Sequence, residues 1–363
     1  MKFIQMHQTV TNHDAIGNDI EIINRILCEK HESFVYANNQ YNTNVKYITD
    51  EEFERMTKES DTVVIYHHSV LWEKGYEMIK NVKCHLIIRY HNITPGKFYK
   101  EYDDFAFKQC EDGRKQTEDM ISNLPNAYWL SDSIYNSLDI AKVSKDRQGI
   151  CAPFNKIEEW KGKVPDEGVL KKLLENRMVN ILFVGRVAPN KGHLMMLDVI
   201  KCYMDHYDCN IKLNVIGKFY DDLEGYNELV RNKIDEYDLS ANIEFIGEIN
   251  DPILMSYYLG SDIMLICSDH EGFCVPVLEA QVFGLPIVAL DECAVPETMG
   301  DNQLVFDRDE YKFAAAIRLL MQNKEYRDYI AEKGLDNYNN RFTFEKIKEV
   351  FVKELSEKIG VTI

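Results

Sequence analysis

Short apolar runs, each followed by a turn and a longer amphipathic stretch, recur along the whole chain. In the first half the runs predict strands at 2–6, 33–37, 62–67, 85–90 and 127–131. In the second half they predict strands at 179–185, 211–218, 242–249, 262–268 and 285–291. The stretch 19–30 between the first two runs places its apolar residues on one helical face. This alternation is typical of the βα units of a parallel sheet, so we expect an α/β fold.

The pattern occurs twice and stops between the two halves. Residues 156–178 are charged, contain Pro165 and Gly168 and have no strand pattern, which predicts a linker. We therefore expect an N-terminal Rossmann-like domain over 1–155 and a C-terminal Rossmann-like domain over 179–341. A chain of 363 residues is too long for one ordinary core, which agrees with two domains.

Composition excludes several classes of protein. The net charge of −18 argues against broad binding to nucleic acid, because such binding depends on clustered lysine and arginine. The nine cysteines are scattered without a CxxC pair, so neither a disulfide framework nor a zinc site is indicated. We find no apolar run of signal-peptide length and none of about 18 residues, which predicts a cytoplasmic protein.

A glycine-rich stretch with two cations follows the predicted strand at 179–185. The sequence GRVAPNKGH contains Gly185, Arg186, Lys191 and Gly192 just before an apolar helix. Backbone N–H groups and two cations at a strand end predict a site for a multiply charged anion. The stretch is not a P-loop, because its spacing does not fit GxxxxGK[ST]. Taken alone, a solvated turn with surface cations explains it equally well.

Two glutamates border a second loop, in the sequence SDHEGFCVPVLEA at 268–280. Pro276 suits the first position of a helix, and Gly284 suits its C-terminal cap. Glu279 would then lie in the first turn, where a carboxylate can accept hydrogen bonds from a polyol such as a ribose. Glu271 would lie in the loop before the helix. A helix N-terminus that favours acidic residues explains Glu279 well and Glu271 poorly.

Together, GRVAPNKG and DHEGFCVPVLEA resemble the retaining GT-B glycosyltransferases of the "glycosyl transferases group 1" family (family 4). Members of this family carry a GR…KG stretch and an E-x7-E stretch in the second half of the chain. GLPIVALDECAVPE and the closing NRFTFEKIKEVF are similar to further parts of the family. The resemblance implies two Rossmann-like domains that face each other across a cleft. It also implies a C-terminal helix, within 342–363, that crosses back to the first domain.

The resemblance implies a hexosyltransferase that moves a sugar from a nucleoside-diphosphate sugar to a saccharide or lipid-linked acceptor, with retention of configuration. The reaction would need no metal and no cofactor, with the donor on the second domain and the acceptor entering from the first. Peripheral contact with the inner membrane face would suit a glycolipid acceptor. Lys142, Lys145 and Arg147 form a small basic group that could touch such a surface, although a solvated turn is the simpler account.

Two other functions stay open from the sequence. One is a different sugar-nucleotide enzyme on the same fold, an epimerase or a phosphorylase. The other is a non-catalytic scaffold member of the family, which would place no demand on Arg186, Lys191, Glu271 and Glu279 together.

The resemblance also assigns roles to single residues. The predicted catalytic residues are Arg186 and Lys191, which would neutralise the leaving diphosphate, Glu271, which would position the donor sugar, and His91. The predicted donor-binding residues are Gly17, Gly185, Gly217, Lys218, Gly272, Phe273, Cys274, Val275 and Glu279. Gly217 and Lys218 would lie near the base, and Glu279 would bind the ribose.

His91, in RYHNITP, matches a family histidine near the reacting sugar, although a lone histidine at a strand end is often only a structural hydrogen-bonding group. Cys274 stands where the family most often has a glycine, so a side chain would border the sugar pocket.

Overall fold

A computed structural model describes residues 1–12 and 14–361. The strands are β1 (Lys2–Met6), β2 (Thr9–Val10), β3 (Glu32–Tyr36), β4 (Asn39–Gln40), β5 (Thr62–His68), β6 (His85–Tyr90), β7 (Tyr128–Ser131), β8 (Gln148–Ile150), β9 (Val179–Val184), β10 (Ile211–Ile216), β11 (Ile243–Gly247), β12 (Ile263–Ile266), β13 (Ile287–Leu290) and β14 (Leu304–Phe306). The helices are α1 (Ala15–Leu27), α2 (Asp50–Met56), α3 (Glu73–Ile79), α4 (Asp104–Asn123), α5 (Ile134–Asp139), α6 (Glu167–Glu175), α7 (His193–His206), α8 (Glu224–Glu236), α9 (Asp251–Gly260), α10 (Val275–Val282), α11 (Val295–Met299), α12 (Glu310–Gln322), α13 (Lys324–Arg341) and α14 (Phe344–Ile359).

The chain forms two compact units. The first unit contains residues 1–96, 105–158 and the closing segment from 342, and the second contains residues 97–104 and 159–341. Residues 362 and 363, the end of the predicted closing segment, lie outside the described residues. No helix among the described residues is long and apolar enough to cross a bilayer.

The first unit is built on a six-stranded parallel sheet in the order β3-β1-β5-β6-β7-β8. Successive side chains of a strand point to opposite faces, and both faces of this sheet are apolar. Ile4 belongs to one core cluster and Phe3 to another. The second cluster also contains Phe351 and Leu355 of α14, so the last helix completes the core of the first unit.

The second unit is built on a six-stranded parallel sheet in the order β11-β10-β9-β12-β13-β14. Its main core cluster joins β9, β10 and β12 to apolar side chains of α7 and α12, among them Met196 and Ile317. Because all strands are parallel, their carboxyl ends lie at one edge of the sheet, where ligands bind in open α/β sheets.

All ten predicted strands are present, in most cases a residue or more shorter than predicted. The apolar pattern did not predict β2, β4, β8 or β14, because strands of two or three residues are too short to show a period. The predicted helix start at Pro276 is close to the observed one, since α10 begins at Val275.

The predicted linker at 156–178 is not an extended connection. It contains a 3₁₀ turn at Ile157–Trp160 and the helix α6. This helix packs closely on α9, because Gly260 lacks a side chain at the contact: an added Cβ would lie 2.8 Å from the Cβ of Leu173. Residues 159–178 therefore form part of the second unit.

A second difference concerns residues 97–104, which the sequence placed in the N-terminal domain and which belong to the second unit. Aromatic contacts explain why these residues belong to the second unit. Tyr102 packs edge-on against Tyr226 with ring centroids 5.4 Å apart, and Phe98 lies 6.1 Å from the His270 ring. Such contacts join residues more than a hundred positions apart, which no local pattern reveals.

Candidate functional site

The predicted donor-binding residues of the second unit gather at the carboxyl edge of its sheet. Gly185 and Arg186 follow β9, Gly217 and Lys218 follow β10, and the loop at 267–274 leads from β12 to α10. Three loops from neighbouring strands thus meet at the position where α/β sheets bind their ligands.

The first two loops touch backbone to backbone. Gly217 has a φ of 149°, and a Cβ at this position would lie 1.9 Å from the carbonyl oxygen of Gly185. The N–H of Gly217 donates to Gly247 O at 3.0 Å, and the N–H of Val187 donates to Lys218 O at 3.0 Å. Only glycine permits so close an approach. The Lys218 side chain itself is exposed and pairs with Glu248 at 3.1 Å, a contact of little energetic weight.

Lys191 and Glu271, predicted as separate catalytic groups, form a salt bridge. Lys191 Nζ donates to Glu271 Oε1 at 2.7 Å, and the two side chains are only 19% and 12% exposed. Gly192 makes this geometry possible: its φ is 71°, and an added Cβ would lie 1.8 Å from Cys267 O at the end of β12. The structure therefore holds the cation and the carboxylate as one pair.

Asn190, which the sequence did not single out, joins the two motifs. Its side chain is 2% exposed, and Nδ2 donates to His270 O at 3.2 Å. Its own carbonyl accepts the N–H of Asp269 at 2.9 Å. Asn190 thus fixes the loop of Lys191 against the loop of Glu271. A polar residue between a proline and a lysine gave no signal of this role.

Arg186 is exposed and lies beside Tyr99. Tyr99 is one of the residues 97–104 that belong to the second unit. Arg186 Nη2 donates to the Tyr99 hydroxyl at 3.4 Å, and this hydroxyl donates to Asn190 Oδ1 at 3.5 Å. The sequence did not predict that Tyr99 would adjoin this site. Because the residue is exposed, an anionic ligand can reach its guanidinium group.

Glu279 lies in the first turns of α10, half-buried above a group of aromatic rings. The Tyr258 hydroxyl donates to Glu279 Oε2 at 2.5 Å. The Tyr258 ring stacks on Phe283 at 5.4 Å, and Trp160 lies 5.7 Å from Phe283. Burial raises the pKa of Glu279 to about 7, against the lowering effect of the Tyr258 hydrogen bond. The carboxyl group is thus poised to exchange a proton near neutral pH.

This raised pKa predicts a pH-dependent effect of Glu279→Gln on stability. The folded state favours the protonated form of Glu279. The contribution of this carboxyl group to stability is therefore fully present below its ordinary pKa of 4.5 and is lost as the pH rises through about 7. The change in the free energy of unfolding caused by Glu279→Gln should therefore be more favourable at pH 8 than at pH 5, by up to about 3 kcal/mol. Thermal unfolding at both pH values measures this, and an equal effect at the two would contradict it.

Cys274 occupies a backbone conformation that favours glycine. Its φ is 75° and its ψ is 70°, the left-handed region that side chains other than glycine rarely adopt. The side chain is buried, and burial raises the pKa of the thiol well above its ordinary value, so the thiol is neutral. Gly272 and Phe273 precede it and Val275 begins α10. Thr298 Oγ1 donates to Phe273 O at 2.5 Å, which anchors this loop.

In the first unit, Gly17 has a different environment from the one predicted. Its N–H donates to Asp14 Oδ1 at 2.6 Å, as part of the N-terminal cap of α1. A Cβ on Gly17 would lie 2.1 Å from the carbonyl oxygen of Thr11. The Thr11 carbonyl oxygen is thus the backbone atom that approaches Gly17 most closely, and a role of Gly17 at the phosphates stays a prediction.

His91 follows β6, and its side chain is only 5% exposed. Its Nδ1 lies 2.8 Å from Asp132 Oδ2, and its Nε2 lies 2.9 Å from His67 Nδ1. Both ring nitrogens thus have hydrogen-bond partners within the protein. His68, the residue after His67 on β5, points to the opposite face of the sheet and contacts Thr117 Oγ1 at 2.8 Å.

Asp19, His67 and His91 also place three potential metal-ligand atoms within 4.8 Å of one another. However, the Arg89 guanidinium donates through Nε to the same Asp19 Oδ2 at 3.1 Å. Arg89 is fully buried, so its positive charge is not screened by solvent. The Asp19 oxygen that a metal would need is thus already paired with a cation, and we assign no metal to these residues.

Comparison with known proteins agrees with this arrangement. Residues 170–336 match the family described as "Glycosyl transferases group 1". It is 31% identical to an uncharacterised 41.2 kDa protein of the cps region of Klebsiella pneumoniae, over 37% of this chain and 34% of that protein. It is 23% identical to the capsular polysaccharide biosynthesis glycosyltransferase CapH of Staphylococcus aureus, over 84% of this chain and 80% of that protein.

Solved structures with the same fold cover nearly the whole chain. Anabaena Alr3699/HepE, crystallised in complex with UDP-glucose, superposes with a TM-score of 0.77 over 98% of this chain and 100% of that one, at 13% identity. At this identity the likeness concerns the fold alone. It confirms the α/β GT-B fold class with two Rossmann-like units that the sequence predicted.

Proposed function

We propose that this protein is a retaining glycosyltransferase that uses a nucleoside-diphosphate sugar as donor. The observation that carries the proposal is the meeting of Arg186, Lys191, Glu271 and Glu279 at the carboxyl edge of one parallel sheet. A buried scaffold would not need a nearly buried Lys191–Glu271 pair beside an exposed arginine. The relatives support the reaction class, since CapH is described as a glycosyltransferase and HepE was crystallised with UDP-glucose.

In this proposal the two cations bind the diphosphate. Charge develops on the leaving phosphate in the transition state, and preorganised cations stabilise it there. Arg186 is exposed and can turn toward the phosphates, whereas Lys191 is held in place by Glu271. These side chains take the role that a metal ion has in other transferases, so we propose metal-independent transfer without a cofactor.

Glu279 would accept hydrogen bonds from the ribose, and Gly217 with the Lys218 segment would lie near the base. Tyr258 supports this role of Glu279, because its hydrogen bond to one carboxylate oxygen orients the group. Gly185, Gly272, Phe273, Cys274 and Val275 would contribute backbone at the phosphates and the sugar.

Retention is proposed through front-face transfer. The acceptor oxygen bonds to the anomeric carbon as the bond to the phosphate oxygen breaks, and the departing phosphate takes the acceptor's proton. In front-face transfer Glu271 positions the sugar and is not a covalent nucleophile, and its salt bridge to Lys191 holds the carboxylate in place. In Glu271→Gln we expect slower transfer with the same product stereochemistry, read by NMR of the anomeric proton. An inverted product, or a trapped glycosyl–enzyme adduct, would rule out this mechanism.

The acceptor is proposed to be a saccharide or a lipid-linked saccharide. This rests on the relatives, which are described as capsular polysaccharide enzymes or as a lipopolysaccharide N-acetylglucosaminetransferase. A cytoplasmic enzyme in peripheral contact with the inner membrane face would suit such an acceptor. Release of an isomerised sugar nucleotide, or dependence on inorganic phosphate, would instead indicate an epimerase or a phosphorylase.

Nucleotide binding is the direct test of the donor site. We would titrate UDP, GDP and ADP, each with and without a chelator, into the wild type and an Arg186→Ala, Glu279→Ala double variant. A ligand that binds the folded state raises its stability, so thermal unfolding reports binding. We expect one nucleotide to stabilise the wild type in both conditions and to have no effect on the double variant. Binding that needs a metal, or that survives both substitutions, would contradict the proposal.

A further inference from the structure

A line of hydrogen bonds runs through the interior of the first unit, from Gln5 on β1 to Asp132 after β7. The Gln5 amide nitrogen donates to the Ile20 carbonyl at 3.0 Å, which fixes the orientation of the amide. Its oxygen Oε1 therefore faces His67 Nε2, at 3.1 Å. An amide oxygen only accepts hydrogen bonds, so His67 must carry a proton on Nε2.

The proton on His67 decides the state of its neighbour. Burial lowers the pKa of His67 well below its ordinary value, and the positive charge of Arg89 lowers it further, so His67 is neutral. A neutral imidazole with its proton on Nε2 has a lone pair on Nδ1. That lone pair faces His91 Nε2 at 2.9 Å, and the hydrogen bond needs a proton on His91 Nε2.

The other nitrogen of His91 needs a proton as well. His91 Nδ1 lies 2.8 Å from Asp132 Oδ2, and an ionised carboxylate only accepts. With both nitrogens protonated, His91 is an imidazolium that donates one hydrogen bond to Asp132 and one to His67.

The charges around His91 balance in this state. Arg89 Nε donates to Asp19 Oδ2 at 3.1 Å, and Arg89 Nη2 lies 3.1 Å from Asp132 Oδ1. Two cations, Arg89 and His91, thus face two carboxylates, Asp19 and Asp132. With a neutral His91 the buried group would carry one uncompensated negative charge, which is costly away from water.

Three further titratable groups interact with this cluster, and all are neutral; one is His68, whose pKa burial lowers to about 3. His7, after β1, contacts the Thr9 carbonyl at 2.6 Å, and burial lowers its pKa to about 4. Cys151, after β8, has a thiol whose pKa burial raises to about 12. None of these groups alters the balance of two positive and two negative charges.

We propose that Gln5 and His67 are positioning residues that hold His91 as a doubly protonated imidazolium, and that His91 is therefore not a general base. Neither ring nitrogen has a lone pair to accept a proton from an acceptor hydroxyl. In the transfer reaction, His91 acts as a fixed positive charge; this part of the inference rests on the proposed function. The proton of the acceptor must then leave by another route, in agreement with its transfer to the departing phosphate.

Two substitutions of His67 separate this role from a merely structural one. In His67→Asn, the amide oxygen takes the place of Nδ1 and can accept from His91 Nε2. In His67→Leu, a side chain of similar bulk offers no acceptor. Both remove the same ring, so a difference between them reports the hydrogen bond to His91.

The measurement is NMR of the full-length protein with ¹⁵N-labelled histidine, near neutral pH. In the wild type we expect two protonated ring nitrogens for His91 and one for His67. His67→Asn should keep both His91 signals, whereas His67→Leu should lose the one from Nε2. The kcat of His67→Leu should also be about tenfold lower than that of His67→Asn, which is the effect expected for the loss of one hydrogen bond to a charged group. A wild-type His91 with one bare nitrogen would overturn the inference.

A bound metal between the two histidines is the alternative to a shared proton, and the metal content of the same proteins tests it. About one zinc per chain in the purified wild type, lost in His67→Leu, would show that a metal and not a proton lies between the two histidines, and would overturn the inference. UDP binding serves as the separate readout of the proposed function. If no nucleotide binds the wild type, the transferase proposal fails, while the NMR result still decides the state of His91.

Discussion

Replacing Lys191 with methionine is expected to lower kcat by about 10²- to 10³-fold, the effect typical of removing one preorganised group that stabilises developing negative charge. Lys191 is the cation that the structure holds most firmly at this site, at 2.7 Å from Glu271 and only 19% exposed. Methionine keeps much of the length of the side chain and removes the charge. Initial rates of sugar transfer with the donor identified by nucleotide binding measure the effect.

The control for Lys191→Met is Lys312→Met. Lys312 is an exposed lysine paired with Asp307 at 2.5 Å, and its loss should leave kcat unchanged. Lys191→Met also leaves the Glu271 carboxylate without its cation, which destabilises a nearly buried charge. A double variant with Glu271→Gln removes that penalty. Recovered stability without recovered activity would assign the loss to catalysis, whereas kcat within a few-fold of wild type in Lys191→Met would contradict a role at the diphosphate.

Gly192→Ala is expected to destabilise the second unit by more than about 3 kcal/mol, which is a large part of the stability of an ordinary domain. The new Cβ would lie 1.8 Å from the carbonyl oxygen of Cys267, which belongs to the backbone and cannot rotate away. The φ of 71° adds the cost of a left-handed conformation for a side chain. Denaturant unfolding of Gly192→Ala and of the wild type measures this effect.

Gly284→Ala is the matched control for this substitution. Gly284 has a similar φ of 64°, but nothing lies within 4 Å of the position of its Cβ. The conformational cost, about 1 kcal/mol, is therefore shared, and the difference between the two variants measures the clash alone. Equal destabilisation of both would mean that α7 can move away from β12, and that Gly192 does not fix the Lys191 loop.

Much of the fold followed from local sequence. The ten longer strands each showed a short run rich in apolar residues, and the helical face at 19–30 appears in α1. Pro276 and Gly284 predicted the ends of α10 well, because the constraints on proline and on a left-handed glycine act within a few residues. The short strands escaped prediction because a run of two or three residues has no measurable period.

The candidate site was predicted only in part. The motifs pointed to Arg186, Lys191, Glu271 and Glu279, and the structure adds that Lys191 and Glu271 form a salt bridge. Gly17 was predicted to let the backbone approach phosphates closely, and the structure shows the carbonyl oxygen of Thr11 beside it. A glycine in a sequence shows that space is restricted without showing what occupies that space.

By itself the sequence determined the parallel α/β architecture, the two repeats of it and the motifs at the strand ends, because these depend on residues close together in the chain. Only the tertiary structure decided the partners of the functional groups. The Lys191–Glu271 pair, the Tyr99 contact with Arg186 and the hydrogen bonds from Gln5 to Asp132 join residues tens of positions apart or more. Such contacts depend on the order of the strands in the sheet and on the packing of their loops. The local sequence pattern determines neither.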